Sequence, residues 1–271
     1  MRLPQDAAQH YFHPTRSARV KPAIGRRHME LRDKIAVVTG AAHRVGRFIA
    51  LGLAEAGAHV VVHYHQAEAD AHATVEEIKL KGVRAFAAEG DLASPAGVEQ
   101  LFRATEAEFG GVDVLVNSAA MMEHGNVLTL TPDEWERTLA LNLTAPFFCA
   151  QQAARSMLAR GGGAIVNIAD MSALEPWAKY PAHSVSKAGL VMLTKVLAKA
   201  LAPHIRVNAV APGPVIKPPE WDEARWRTVG EHTLLKRTGS GYDVARAVTF
   251  LLQQDFITGE TLVVDGGGRY V

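Results

Sequence analysis

Short β-branched runs alternate with longer helical stretches along most of this chain, and this alternation limits the possible folds more than any other feature. The inner runs are almost entirely apolar, as expected of strands that are covered on both faces. Such alternation predicts a parallel sheet with helices on both of its faces. The predicted strands are 35–39, 59–63, 83–88, 112–117, 164–169, 205–211 and 261–264.

The intervening stretches carry helical patterns and show no linker of domain size. We therefore predict a single doubly wound α/β domain of the Rossmann type, with a seven-stranded parallel sheet, over residues 29–271. Residues 212–237 are rich in proline and tryptophan, and loops of this length are often substrate lids. The predicted helices are 45–56, 67–81, 95–109, 132–160, 181–202 and 241–254.

The charge is distributed unevenly between the N-terminus and the rest of the chain. Residues 1–28 hold six of the 29 basic and one of the 28 acidic side chains, which leaves 23 basic and 27 acidic residues elsewhere. An acidic body argues against nucleic-acid binding. Residues 1–28 contain scattered prolines and no periodicity, and we expect a disordered tail there. A basic targeting segment and a start site at Met29 are the alternatives.

Composition excludes further classes of protein. No apolar run approaches the roughly 18–20 residues that cross a bilayer. The one cysteine, Cys149, cannot form an internal disulfide, which fits a reducing, cytoplasmic setting.

A glycine-containing turn joins the first predicted strand to the first predicted helix. Gly40 would let the chain turn sharply there, and Gly46 would let the helix approach the strand closely. A helix N-terminus offers free backbone N–H groups to phosphates. Together with the intervening His43, Arg44 and Val45, these glycines are candidate ligands of a dinucleotide pyrophosphate. A plain strand–turn–helix connection is the alternative.

Further motifs follow this turn in a fixed order, and with them the chain resembles the short-chain dehydrogenases/reductases over roughly residues 33–268. The resemblance implies an oxidoreductase that uses a nicotinamide cofactor. The motifs are Thr39-Gly40…Gly46, Gly90-Asp91-Leu92, Asn117-Ser118-Ala119-Ala120, Leu141-Asn142-Leu143, Ser186-Lys187-Ala188, Arg206-Val207-Asn208, Pro212-Gly213 and Thr258-Gly259…Val264-Asp265-Gly266-Gly267.

Within that family, the chain looks most like the pteridine reductase branch and related bacterial reductases. Arg44 replaces a glycine of the phosphate loop, and the second strand ends in His63-Tyr64-His65, as in that branch. Asp170 stands thirteen residues before His183, where most of the family has serine and this branch has aspartate.

The resemblance also implies roles for individual residues. Asp91 and Leu92 would hold the adenine ring, and Asn117 and Ala119 would line the nicotinamide ribose. Lys187 would bond the ribose hydroxyls and lower the pKa of a neighbouring acid. Asn142 would support Lys187 through a water molecule. Pro212 and Gly213 would contact the cofactor.

The end of the second strand bears on the choice of nicotinamide. An NAD enzyme usually carries an acidic residue there, whereas this chain has no acid until Glu68. The cationic candidates His65, Arg44 and His43, with His63 beside them, favour NADP, with NAD as the alternative. After its second histidine, the branch carries an arginine and a serine, which are Gln66 and Ala67 in this chain. The side chains that would bind the 2′-phosphate most strongly are therefore missing. We predict no metal at His63 and His65, because no third ligand is spaced to join them.

The position of the family's catalytic tyrosine, four residues before the lysine, is occupied by His183. His183 and Lys187 share one helix face, and Tyr180 lies two helical turns before the lysine. Imidazolium is a competent general acid. Three interpretations stay open: His183 is the acid, Tyr180 or Asp170 delivers the proton with water, or the site only binds the dinucleotide.

We therefore expect an NADPH-dependent reductase of a small carbonyl or pteridine-like substrate. The alternative is a non-catalytic NADP-binding sensor or scaffold. Family resemblance further implies a homodimer or homotetramer that pairs through two long central helices.

Overall fold

All seven strands of the computed structural model, which describes residues 28–271, lie parallel in one sheet. Their spatial order is β3-β2-β1-β4-β5-β6-β7. The order reverses between β1 and β4, and the crevice at such a reversal is where doubly wound folds bind ligands. The strands are β1 (Ile35–Val38), β2 (His59–Tyr64), β3 (Ala85–Glu89), β4 (Val114–Asn117), β5 (Gly163–Ile168), β6 (Ile205–Pro212) and β7 (Thr261–Val264).

Helices cover both faces of the sheet, and each face has its own apolar core. Helices α1, α2 and α8 pack on one face, and α3, α5 and α6 pack on the other. The predicted fold class is therefore confirmed. The helices are α1 (Arg44–Glu55), α2 (Glu68–Lys79), α3 (Pro95–Phe109), α4 (Pro132–Leu139), α5 (Ala145–Ala159), α6 (Pro181–Leu201), α7 (Glu223–Glu231) and α8 (Gly241–Gln253).

Two segments differ from the sequence prediction. The single helix expected over 132–160 is interrupted by a π-helical turn at Ala140–Thr144. Pro146 follows that turn and has no N–H to pair with the carbonyl of Asn142, which favours a locally wider helix. In the segment expected to be irregular, Asp222 caps α7 by accepting a hydrogen bond from the Arg225 N–H at 2.7 Å.

The predicted disordered tail lies outside the described residues, except for His28. Within residues 28–271, none of the helices is long and apolar enough to cross a membrane.

A buried histidine ties the carboxyl ends of three neighbouring strands together. The Gly40 N–H, after β1, donates to Nδ1 of His63 at 3.0 Å, and Nε2 of His63 donates to the Gly90 carbonyl, after β3, at 2.9 Å. Both ring nitrogens are occupied, and the side chain is 2% exposed. His63 therefore holds the turns after β1 and β3 together from a buried position. This corrects the expectation that it contacts the cofactor directly.

Burial lowers the pKa of His63 from 6.5 to about 4, more than the Gly90 carbonyl raises it, with smaller opposing effects from His65 and Asp91. Between these values the unfolded chain binds more protons than the folded one, so stability falls as the pH falls. A shift of this size corresponds to about 3 kcal/mol.

We predict that the stability advantage of wild type over His63→Asn shrinks by up to about 3 kcal/mol when the pH drops from 6.5 to about 4. The asparagine keeps an acceptor near the position of Nδ1 but does not titrate. Urea unfolding of both proteins across this range measures the difference. A difference that stays constant with pH would show that the imidazole is not held neutral by the fold.

Candidate active site

Glycine is required at the turn between β1 and α1, because the backbone there is crowded. Gly40 has φ +63°, and a Cβ on it would lie 2.9 Å from the Cα of Ala119. A Cβ on Gly46 would lie 2.2 Å from the Gly40 carbonyl oxygen. The two glycines therefore have the geometry that the sequence predicted for a phosphate-binding turn.

The first turn of α1 leaves its backbone N–H groups free of side-chain caps. His43 occupies the N-cap position without a capping hydrogen bond from its side chain. Arg44 follows with φ +52°, in the left-handed region that favours glycine, and its side chain is exposed. The structure thus shows an uncapped helix N-terminus beside an exposed guanidinium, an arrangement that suits phosphate.

Thr39 joins the carboxyl ends of β1 and β4, a role that the sequence analysis did not assign. Its hydroxyl accepts hydrogen bonds from the N–H groups of Ser118 at 2.8 Å and Ala119 at 3.0 Å. A threonine placed between a buried strand and a glycine turn was the available signal. Thr39 fixes the two loops that border the crevice.

The predicted adenine-side residues lie at the carboxyl end of β3. The exposed carboxylate of Asp91 accepts from the Ala93 N–H at 3.0 Å. The side chain of Leu92 is buried in the core, so contact with a ring in the crevice would come from its backbone. His65 is exposed at the end of β2, with no acid before Glu68.

Gly213 packs against the loop that follows β7. Its N–H donates to the Val264 carbonyl at 2.9 Å, and a Cβ on it would lie 2.7 Å from the Cβ of Asp265. Pro212 is the last residue of β6 and is buried. The Pro212-Gly213 motif therefore sets where the chain leaves the sheet toward residues 214–237.

Asn117 ends β4 in a buried chain of polar side chains. Its Nδ2 donates to Oδ1 of Asn167 at 2.9 Å, and Nδ2 of Asn167 donates to the hydroxyl of Thr194 at 2.9 Å. Oδ1 of Asn117 is buried and has no hydrogen-bond partner in the described part of the chain. Such an orphaned acceptor next to the crevice is consistent with a donor supplied by a bound ligand.

The π-helical turn directs Asn142 at the loop after β4. Its Oδ1 accepts from the Met121 N–H at 2.9 Å, and its Nδ2 donates to the Met121 carbonyl at 2.9 Å. Nδ2 also donates to the hydroxyl of Ser186 at 3.1 Å. Asn142 thus clamps the backbone of Met121 and has no direct hydrogen bond to Lys187.

His183 lies in the first turn of α6 and is buried, with both ring nitrogens close to polar partners. Its Nδ1 is 2.9 Å from the Met121 carbonyl, and its Nε2 bonds to Oδ2 of Asp170. Its ring stacks on Trp177, with the centroids 6.4 Å apart and the planes at 16°. His183 therefore presents no unbound nitrogen to the crevice, which bears on the first of the three interpretations left open by the sequence.

Asp170, just beyond β5, is the more exposed member of this pair. Its side chain is 19% exposed, compared with 4% for His183. Its other oxygen, Oδ1, accepts hydrogen bonds from the backbone N–H of Ser172, at 2.8 Å, and from the Ser172 hydroxyl. Burial alone raises the pKa of Asp170, but the hydrogen bond and charge of His183, with Lys187 and Ser172, lower it below the ordinary value.

Lys187 is fully enclosed one turn after His183. Its Nζ donates to the Ile168 carbonyl at 2.7 Å. Burial lowers the pKa of Lys187, and the charge of Asp170 partly offsets this. The structure therefore brings Asp170 to the helix face that His183 and Lys187 share.

Aromatic side chains lie around the start of α6, next to this group. Tyr180 stands at the N-cap of α6, as expected, and its ring meets Trp177 at 6.2 Å and His124 at 5.3 Å. The hydroxyl of Ser184 bonds both the N–H and the carbonyl of Trp177, which fixes the Trp177 loop on α6.

The tryptophans of residues 212–237 pack against their own segment. Trp221 and Trp226 meet at 6.4 Å, and the Arg225 guanidinium lies 3.9 Å above the Trp221 ring. One face of Trp221 is thus covered by a neighbouring side chain.

Comparison with known proteins agrees with this geometry. The family model described as Enoyl-(Acyl carrier protein) reductase matches residues 40–268. The chain is 37% identical over 242 residues to the 3-oxoacyl-[acyl-carrier-protein] reductase FabG of Staphylococcus epidermidis, covering 87% of this chain and 98% of that protein. It is 34% identical over 251 residues to a short-chain type dehydrogenase/reductase of Picea abies, covering 88% of this chain and 93% of that protein.

A solved structure gives the same result. L-sorbose reductase from Gluconobacter frateurii, crystallised with NADPH and L-sorbose, superposes with a TM-score of 0.85 at 31% identity. The match covers 90% of this chain and 100% of that chain. The chain belongs to the short-chain dehydrogenase/reductase family of oxidoreductases.

Proposed function

We propose that this protein is an NADPH-dependent reductase of a small carbonyl or pteridine-like substrate. The observation that carries the proposal is the buried group of Asp170, His183 and Lys187, which lies at the same edge of the sheet as the glycine turn. A buried cluster in which neighbouring charges shift the pKa values of Asp170 and Lys187 is typical of an active site. The likeness to the pteridine reductase branch, based on Arg44 and Asp170, stays a prediction.

The residues present fit a dinucleotide. Gly40 and Gly46 allow the close backbone packing of the turn, and the uncapped start of α1 offers N–H groups to phosphate. The buried Asn117 Oδ1 lacks a donor within the described residues. When bound, NADPH would supply a hydride. Lys187 would hold the ribose, and the Asp170–His183 pair would hold the proton that the substrate needs.

The preference for NADPH rests on charge at the end of β2 and the start of α1. His65, His43 and Arg44 are exposed there without an acidic neighbour before Glu68. The L-sorbose reductase to which the chain is similar was crystallised with NADPH. A 2′-phosphate would meet the Arg44 guanidinium and imidazole N–H donors, whereas the carboxylate that usually bonds the ribose of NAD is missing.

We expect NADPH to bind more tightly than NADH, and Arg44→Gly to weaken NADPH about ten- to one-hundredfold through the loss of a charge-assisted bond of about 1.5–3 kcal/mol. Because Arg44 has a positive φ, the glycine variant should be at least as stable to heat as wild type. Calorimetric titration and thermal unfolding measure the two effects.

The matched control for this change is Arg47→Ala on the same helix. Arg47 pairs with Glu77, so its loss should leave the affinity for NADPH unchanged. Equal or tighter binding of NADH by wild type would contradict the assignment to NADP.

The second candidate function is a non-catalytic NADP-binding sensor or scaffold. It is favoured by the enclosure of His183, which stands where the family's tyrosine would reach the substrate. The retention of Lys187 and Asp170 around His183 favours the catalytic function instead. A protein that only binds the dinucleotide has no need of the Asp170–His183 pair.

We predict that wild type oxidises NADPH in the presence of at least one member of a panel of small ketones, aldehydes and pterins. Lys187→Met should lower kcat/KM about ten- to one-hundredfold, because it removes charged hydrogen bonds. Absorbance of NADPH follows the reaction.

The control variant is His72→Ala, an exposed histidine on α2 that should leave the rate unchanged. If wild type is inactive on the whole panel while His183→Tyr is active, the protein is a binding module that has lost its acid.

We also propose that the protein forms a homodimer or homotetramer through α5 and α6. Val185, Met192 and Val196 are 49–59% exposed and lie on one face of α6. Phe147 and Phe148 of α5 are 38–39% exposed and pack edge to face on each other. A second copy of the chain would cover these apolar stripes.

We expect wild type to be a dimer or larger by light scattering, and Met192→Asp to shift it toward the monomer, because a carboxylate would be buried in the contact. Leu80→Asp is the control, since Leu80 is 88% exposed at the end of α2, away from this surface. A wild-type monomer at micromolar concentration would contradict the proposal.

A further inference from the structure

The ring of His183 is enclosed on all sides by protein. Its side chain is 4% exposed, and Trp177 covers one of its faces. Each of its two nitrogens faces a protein oxygen. A proton on this imidazole can therefore reach a substrate only by way of a neighbouring group.

The Nδ1 side of the ring holds its proton permanently. The Met121 carbonyl, 2.9 Å away, can only accept a hydrogen bond, so Nδ1 must donate. Nδ2 of Asn142 also lies near Nδ1, at 3.3 Å, but its two hydrogens serve the Met121 carbonyl and the Ser186 hydroxyl at shorter distances. The proton available for chemistry is consequently on the Nε2 side.

On that side, Nε2 meets Oδ2 of Asp170 in a short contact. A nitrogen lone pair and a carboxylate oxygen are both acceptors, so a hydrogen bond between these two atoms requires one proton between them. Asp170 is the partner with solvent access, at 19% exposure. Its Oδ1 is held by Ser172, which fixes the orientation of the carboxylate.

From this geometry we propose that Asp170 is the catalytic acid that delivers the proton to the substrate, and that His183 is a positioning residue which stores that proton behind it. The inference rests on the proposed reductase function, since it assigns the acid of that same reaction.

The step balances when a bound NADPH supplies the hydride. Hydride addition to the carbonyl carbon, with NADPH as the reductant, breaks the C=O π bond and leaves its electron pair on oxygen. The proton shared by Nε2 and Oδ2 then bonds to that oxygen and gives the alcohol. The pair is left as neutral imidazole, with its proton on Nδ1, and carboxylate. Asp170 afterwards takes a new proton from solvent.

The charges around Asp170 explain why His183 is needed to hold the proton. Ionisable groups facing Asp170 are His183 and Lys187, both on α6, and together with Ser172 they lower the pKa of Asp170. Burial raises the pKa of Asp170, but these neighbours lower it below the ordinary value, so the carboxyl alone holds a proton less readily. With His183 behind it, the proton stays within the pair.

The test compares the pH dependence of kcat in two variants. In Asp170→Asn, kcat should fall about 10²–10⁴-fold at every pH, because the amide cannot pass a proton on. In His183→Ala, kcat should fall similarly at neutral pH but recover as the pH is lowered. Removing His183 raises the pKa of Asp170 toward the ordinary range, so the exposed carboxyl can be protonated from solvent. Affinity for NADPH should change less than about threefold in both variants, since neither change removes a charge-assisted bond to the cofactor.

A second measurement does not need turnover. Nitrogen-15 NMR of the imidazole in the protein without cofactor should show a protonated Nδ1 and an Nε2 signal that reports the hydrogen bond to Asp170. In Asp170→Asn the Nε2 signal should change and the Nδ1 signal should not. Loss of the proton from Nδ1 instead would overturn the proposal.

The opposite kinetic pattern would also overturn it. If Asp170→Asn stays active with a shifted pH profile and His183→Ala does not recover in acid, His183 donates directly. If Tyr180→Phe alone abolishes turnover, the phenol is the acid. Inactivity of wild type on every substrate would instead remove the proposed function itself, and the kinetic patterns tell these failures apart.

Discussion

Parallel pairing of all seven strands places the carboxyl end of every strand at one edge of the sheet, and residues at or just beyond those ends assemble the site. Thr39 comes directly after β1, Asn117 ends β4 and Asp170 lies just beyond β5. These residues are far apart in sequence and meet only because of the strand order. The helices then complete the site from the side, since α6 begins next to β5 and brings His183 and Lys187 to Asp170.

An apolar sheet cannot by itself fix the loops at its edge, because the backbone groups that leave the ladder need new partners. Here polar side chains supply them. His63 joins the turns after β1 and β3, Thr39 joins the loops after β1 and β4, and Asn142 holds the backbone of Met121. Each of these side chains is nearly or completely buried. The crevice is consequently bordered by loops whose geometry is set before any ligand binds, which lowers the entropic cost of binding.

The sequence predicts the repeating features well, because strand and helix periods are properties of short stretches of chain. All seven strands and the long helices match the predictions within two residues, apart from the interrupted helix at Ala140–Thr144. Individual side-chain contacts are harder to predict from the sequence. The pattern around His63 reads equally as an exposed strand end or a cofactor ligand, and only the positions of Gly40 and Gly90 show that it is a buried link. Helix α7 is short and mostly exposed, so it lacks the apolar stripe that identifies longer helices.

The residue at the catalytic position shows how one substitution changes the requirements on its neighbours. A tyrosine carries its proton on a hydroxyl at the end of a long ring, whereas an imidazole at the same place is shorter and ends farther from the crevice. In this chain the Asp170 carboxylate meets Nε2 directly. The Met121 carbonyl, held by Asn142, then prevents the ring from offering its other nitrogen. In the proposed reaction, acid catalysis with histidine at position 183 therefore depends on the aspartate at 170, and the two residues act as one group.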